Sequence, residues 1–197
     1  MIVEIGVLAL QGDFAAHLET LAREGVEGVE VRYAGQLDEI DGLIIPGGES
    51  TALLNLIEDR RLGAPLRHFH ARGGAVFGTC AGAILVARAV SGPAQPSFGL
   101  IDIDIERNAY GRQKESFETV ETIPAFGEKP LPMIFIRAPR IRRIGPGVEV
   151  LASRGGEPVL VRQERVLAGT FHPELGRDGR LHRYFAGMVR VRVLAPS

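Results

Sequence analysis

Between residues 3 and 90, short apolar runs of strand length take turns with stretches whose apolar residues recur at helical spacing. Val3 to Leu10 reads as the first strand. Asp13 stands where it can cap the helix that follows, with Phe14, Leu18, Leu21 and Ala22 on one face. Val29 to Tyr33 alternates as a strand, and Leu43 to Ile45 is apolar throughout. Pro46-Gly47-Gly48-Glu49-Ser50 breaks that run, with Ser50 placed to cap a helix over Thr51 to Ile57. A helix at Pro65 to Ala71, a strand at Ala75 to Phe77 and an apolar helix over Ala81 to Val90 follow. Such alternation buries a parallel sheet between layers of helices.

From Phe98 the period changes. Leu100 to Ile105, Phe117 to Ile123 and Val148 to Leu151 alternate with period two, and Val159 to Arg162 and Val166 to Thr170 flank a hairpin turn. These predict antiparallel strands, and Leu181 to Val191 predicts a closing helix with Leu181, Tyr184, Phe185, Met188 and Val189 inward. The expected fold is three-layer α/β: a mostly parallel central sheet flanked by helices, with an antiparallel extension. A length of 197 residues suits one domain.

Composition narrows the function. The single cysteine excludes an internal disulfide and a cysteine-rich zinc site. With 23 basic and 24 acidic residues, the net charge of −1 provides no field for nucleic acid. Arg137, Arg140, Arg142 and Arg143 form the only basic concentration, either an anion site or a solvated strand edge, the commoner role of a charge run. The N-terminal apolar run carries Glu4 and no basic leader, and no stretch is long and apolar enough to span a bilayer. A soluble, cytoplasmic protein with no membrane partner is expected.

The residues with the sharpest chemical signature are Gly78-Thr79-Cys80-Ala81-Gly82, between a buried strand and an apolar helix. This is the thiol form of a nucleophile elbow, a tight turn that lifts a reactive atom from the sheet edge while small neighbours let the backbone pass. The helix start at Ala81 favours a thiolate and aims the Ala81 N–H at a developing oxyanion. The plain alternative is a buried cysteine acting as a small hydrophobe.

A cysteine elbow needs a base. Of the five histidines, His17 and His182 fall on amphipathic helices, and His68 and His70 are two apart within a helix. All four read as surface or boundary residues. His172 ends a short strand, and Glu174, two residues on, can reach the same side and orient its ring. The alternative is a structural His–Glu contact. Pro46 to Ser50 lies at the carboxyl end of a parallel strand, where ligands bind in open α/β sheets, though it also suits an ordinary strand-to-helix turn.

Pro46 to Thr51, Gly78 to Gly82 and Phe171 to Leu175 together resemble the class I (triad) glutamine amidotransferases. Gly6 to Gly12, Glu106 to Gln113, Glu115 to Glu118 and Phe135 to Pro139 are similar to the glutaminase subunits of pyridoxal 5′-phosphate synthase within that class. The resemblance implies one glutaminase domain over residues 1–197 that hydrolyses L-glutamine to glutamate and ammonia. It implies Cys80 as nucleophile, His172 as acid–base and Glu174 as its orienting partner, through a γ-glutamyl thioester. Gly48 and Ala81 would hold the oxyanion, at ~3–4 kcal/mol per donor. Gly48, Glu49, Ser50, Arg107, Ile136 and Arg137 would contact substrate, with an arginine suited to the α-carboxylate. The segment at Gln11-Gly12 would help order the oxyanion loop near the partner. No metal and no cofactor is implied. The implied partner is a β/α-barrel synthase subunit that uses the ammonia to build pyridoxal 5′-phosphate (vitamin B6). The competing readings are a glutaminase serving another synthase, a DJ-1-like thiol sensor in which His172 has no role, and a docking subunit without activity.

Overall fold

The computed structural model describes residues 3–107 and 116–194, over 191–194 by their backbone alone. The first half follows the expected alternation: β1 (Glu4–Leu8), α1 (Phe14–Arg23), β2 (Glu27–Val31), β3 (Gly42–Ile45), α2 (Ser50–Asp59), α3 (Gly63–Ala71), β4 (Ala75–Thr79) and α4 (Ala81–Val86). The second half adds β5 (Ala87–Ser91), β6 (Ile101–Glu106), β7 (Ser116–Glu121), β8 (Leu131–Ile136), β9 (Arg140–Ile144), β10 (Glu149–Arg154), β11 (Glu157–Gln163), β12 (Val166–Gly169) and α5 (Arg180–Leu194). A seven-stranded sheet runs β10-β11-β12-β4-β3-β1-β2. Its members from β12 to β2 pair in parallel, and β10, β11 and β12 pair antiparallel. The sheet order β5-β6-β9 and the ladder β7-β8 stand beside it.

Alternation along the central strands feeds two cores. Leu43, Ile45, Val76, Val166 and Ala168 face one, with residues of α2, α3 and α4. Ile5, Val7, Ile44, Phe77 and Leu167 face the other, with residues of α1 and α5. Each fully buried large side chain of this kind contributes roughly 1.5–3 kcal/mol.

Three local expectations are corrected. The helix from Ala81 ends at Val86, because Ala87 turns extended (ψ 157°) and the returning chain takes up the freed carbonyls. Phe98, Gly99 and Leu100 donate their N–H groups to Leu85, Ala87 and Val86. Ala87 to Ser91 thus becomes β5, which pairs parallel with β6 instead of continuing a helix. Asp13 makes no side-chain cap. The cap of α2 is Glu49, not Ser50: its carboxylate accepts from Thr51 N–H at 3.0 Å and Ala52 N–H at 2.7 Å.

The basic cluster is mostly ion-paired across strands. Arg142 reaches Glu106 at 2.6 Å and Glu157 at 3.2 Å, Arg143 reaches Asp102 at 2.8 Å, and Arg140 reaches Glu157 at 3.5 Å. Partly exposed pairs like these contribute about 0–1 kcal/mol each.

Close backbone approach sets the elbow. A Cβ at Gly82 would stand 1.9 Å from the Ile45 carbonyl oxygen, and one at Gly78 2.5 Å from the Gly82 carbonyl oxygen. The first turn of α4 therefore lies directly on the end of β3. Gly82→Ala is expected to cost about 1–3 kcal/mol through overpacking. A lowered urea midpoint at unchanged m-value checks this; a wild-type midpoint contradicts it.

Candidate active site

β4 and β12 pair in parallel with Gly169 beside Thr79, so the residues that follow both strands leave the same carboxyl edge of the sheet. The Cys80 N–H donates to the Gly169 carbonyl at 2.8 Å, extending the ladder by one bond. Cys80 then takes φ 47°, ψ −102°, a strained left-handed turn residue at the head of α4. From β12 the chain passes through Phe171 to His172, whose N–H is tied to the Ile134 carbonyl of β8 at 2.8 Å. Two turns thus converge on one rim.

Gly47 lies between the side chains they carry. A Cβ there would be 2.4 Å from His172 Cε1 and 3.3 Å from Cys80 Cβ, so only glycine leaves room for both. His172 Nδ1 is 2.7 Å from Glu174 Oε1, and the remaining ring nitrogen is left for the thiol. All three residues are buried, with Cys80 and His172 6% exposed and Glu174 3%. Burial by itself pulls the His172 pKa down. Hydrogen bonds to Cys80 and Glu174, together with their charges, override it and push the imidazole up to about 10.

One pocket gathers the rest. Gly48, Glu49, Ser50, Arg107, Ile136 and Arg137 line it with Cys80 and His172, as do Asp13, Ile84 and Pro139. Ala81 is buried in the first turn of α4, whose leading N–H groups have no intrahelical acceptor. Gly48 (φ 139°) sits under Gln11, whose side-chain amide donates to the Glu49 carbonyl at 2.7 Å. A Cβ at Gly12 would be 1.9 Å from the Gly47 carbonyl oxygen, so the loop after β1 lies flush on the Gly47-Gly48 turn. Glu49 is committed to capping α2, and Arg107 Nη2 approaches its carboxylate at 3.3 Å. Burial raises the Glu49 pKa, but the N–H groups of Thr51 and Ala52 and the charge of Arg107 bring it below the usual value. Arg137 adopts φ 45° just after β8. Of the stretches that carried the resemblance, residues 108–115 lie outside the described residues.

The donor atoms of Asp13, His172 and Glu174 lie within 4.8 Å of one another, the one such grouping of metal-ligand type among the described residues. His172 Nδ1 is engaged with Glu174 there and offers no free lone pair.

Two histidines expected at the surface are in fact at the centre. His17 and His182 are both fully buried, with His17 Nδ1 2.8 Å from His182 Nε2. His17 Nε2 stands 3.3 Å from Thr79 Oγ1 and 3.4 Å from Glu174 Oε2. Residue spacing carries a signal for them: 14, 17, 18 and 21 form one helical stripe, as do 182, 185, 186 and 189. Gln95 is also new. Its Oε1 accepts from Ser50 Oγ at 3.1 Å and from the Arg107 guanidinium, which ties the start of α2 to that arginine.

The SNO glutamine amidotransferase family model matches residues 7–191. The chain belongs to this family. Among its relatives, the pyridoxal 5′-phosphate synthase subunit PdxT of Thermotoga maritima is 50% identical over 188 residues, covering 95% of this chain and 100% of that one. The subunit of the same name from Pelotomaculum thermopropionicum is 53% identical over 183 residues, with 93% of each chain covered. A solved glutamine amidotransferase structure superposes with TM-score 0.88 at 49% identity, covering 94% of this chain and 98% of that one. PurLQS of Thermotoga maritima, at TM-score 0.69 and 17% identity over 98% of this chain and 100% of that one, shares the fold alone.

The buried histidines are expected to titrate far apart. Imidazole NMR should show His172 holding its proton through neutral pH and losing it near pH 10, and His182 staying neutral until about pH 4. Because the folded value of His172 lies above its ordinary 6.5, the stability its protonation provides is full below about pH 6.5 and is lost as pH climbs through about 10. A His172 ring that titrates near 6.5 contradicts the arrangement.

Proposed function

We propose that Cys80, His172 and Glu174 are the catalytic set of a glutaminase, working as one domain over residues 1–197. The observation that carries the reading is the imidazole held between Cys80 and Glu174 at the pocket floor. The Cys80 sulfur, beside the protonated His172 at the head of α4, reacts in its thiolate form. It attacks the side-chain amide carbon of L-glutamine. His172 gives its proton to the departing nitrogen, so the C–N bond breaks, ammonia leaves and a γ-glutamyl thioester remains. The neutral imidazole then takes a proton from water, whose oxygen attacks the thioester. Glutamate leaves and the sulfur regains its partner. Glu174 orients the ring and stabilises the imidazolium at each stage.

The N–H groups of Gly48 and Ala81 are the oxyanion donors in this reading, supported by the Gln11 and Gly12 contacts that order the Gly47-Gly48 turn. Arg107 and Arg137 supply cations for the substrate α-carboxylate, and Glu49, Ser50 and Ile136 complete the pocket. Because its carboxylate is engaged in the α2 cap, Glu49 serves to shape the loop and hold Arg107.

The name shared by the two relatives supports a subunit of a pyridoxal 5′-phosphate synthase; in our reading the ammonia passes to a synthase subunit built as a β/α barrel, the partner the sequence resemblance implies. We place the protein in the cytoplasm, where a thiol nucleophile stays reduced; no helix among the described residues is long and apolar enough to cross a membrane. A thiol sensor without a role for His172 does not account for the imidazole against Cys80.

Cys80→Ala and His172→Asn should each bring ammonia release from glutamine to background while the chain still folds. Glu174→Ala should retain more, with a loss of about 10²–10⁴-fold. Ammonia release by Cys80→Ala at the wild-type rate would remove the assignment. Stimulation of hydrolysis by the vitamin-forming barrel, and by no other synthase, tests the partner.

A further inference from the structure

We propose that His17 is a positioning residue for the triad: a neutral imidazole, protonated on Nε2, that faces the second oxygen of Glu174 and so keeps the first on His172. The inference rests on the catalytic reading of Cys80, His172 and Glu174.

Glu174 is buried, and its Oε1 is committed to His172 at 2.7 Å. Its Oε2 receives no well-directed hydrogen bond among the described residues, and His17 Nε2 faces it at 3.4 Å. A buried carboxylate oxygen with no donor is costly, and one free to swing would let go of the imidazole as well. The tautomer of His17 therefore matters, and its other neighbours decide it. His17 Nδ1 and His182 Nε2 are 2.8 Å apart, so one donates to the other.

If His17 Nδ1 carried the proton, its Nε2 lone pair would face the carboxylate, and His182 Nδ1–H would be a buried donor without a partner. With the proton on His17 Nε2, that N–H has Thr79 Oγ1 at 3.3 Å and Glu174 Oε2 beside it at 3.4 Å, and His182 Nε2–H donates to His17 Nδ1. The atom then left over is His182 Nδ1, a bare acceptor, the less costly group to leave unmade.

The ring must also be neutral. A cation at His17 would compete with His172 for the Glu174 charge and loosen the imidazolium. Burial and the neighbouring His182 and His172 drive the His17 pKa well below its ordinary value. His182 is held low by burial and by Arg23. The titratable and charged groups around this chain are thus Glu174, His172, His182 and Arg23, with Asp13 and Cys80 on the pocket side. On packing grounds alone, an apolar residue would suit the fully buried position 17 of α1 better than a histidine does.

The test compares His17→Leu, His17→Asn and His17→Gln. A glutamine amide can reach where imidazole Nε2 stands, whereas an asparagine amide reaches only as far as Nδ1. Two readouts are taken: kcat and KM for glutamine hydrolysis by the chain assembled with its synthase, and the pH dependence of Cys80 alkylation by iodoacetamide on the full chain. Leu and Asn should lower kcat about tenfold to hundredfold, the scale for losing a partner that orients a reacting group, with KM nearly unchanged. The acid limb of alkylation should move up by about one pH unit, and Gln should restore most of both. Wild-type kcat and alkylation profiles in His17→Leu, or a lower melting temperature with no change in either, overturn the inference. So does His17→Gln impaired as deeply as His17→Asn. Cys80→Ala run alongside separates the two readings: if it still hydrolyses glutamine, the triad assignment falls, and if it is inert while His17→Leu is normal, only the positioning role does.

Discussion

The contact between the Cys80 thiol and the His172 imidazole depends on a hydrogen-bond register between strands far apart in sequence. β12 inserts beside β4 so that Leu167, Ala168 and Gly169 lie opposite Phe77, Gly78 and Thr79. From that register, Cys80 on one strand end and His172 on the other leave the sheet together. A one-residue slip would turn β12's side chains over relative to those of β4 and move the imidazole from the thiol. The glycines at 47, 78 and 82 then bring the turns close enough for the two groups to meet.

Three buried histidines within one layer have opposite electrostatic fates. His172 lies between two groups that can carry negative charge, which outweighs its burial and holds it protonated. His17 and His182 are as deeply buried, with cationic or cation-capable neighbours adding to the burial penalty, and stay neutral. The environment, not the residue type, thus separates a protonated imidazole from two neutral ones. A carboxylate placed between them, Glu174, is the element that both kinds share.

Much of this was legible in residue order. The strand–Gly-x-Cys-x-Gly–helix pattern specifies an elbow by local geometry alone, and His172 and Glu174 declare themselves by spacing. The parallel half of the sheet follows from alternating periods. Long-range choices were less visible. That Ala87 to Ser91 leaves the helix depends on Phe98 to Leu100 returning to take its carbonyls, a contact between segments. Glu49 displaces Ser50 as cap because its longer carboxylate reaches two N–H groups at once. His17 and His182 lie on apolar stripes, but a polar residue on such a stripe declares burial only when its partners, far along the chain, are known.

The most direct measurement is acid-quench mass spectrometry of the chain turning over glutamine. A γ-glutamyl adduct on the peptide carrying Cys80 is expected, present in the wild type and missing when residue 80 is alanine. Glutamate formed at a comparable rate with no adduct on that peptide, or with the adduct mapped to another residue, would contradict Cys80 as the nucleophile.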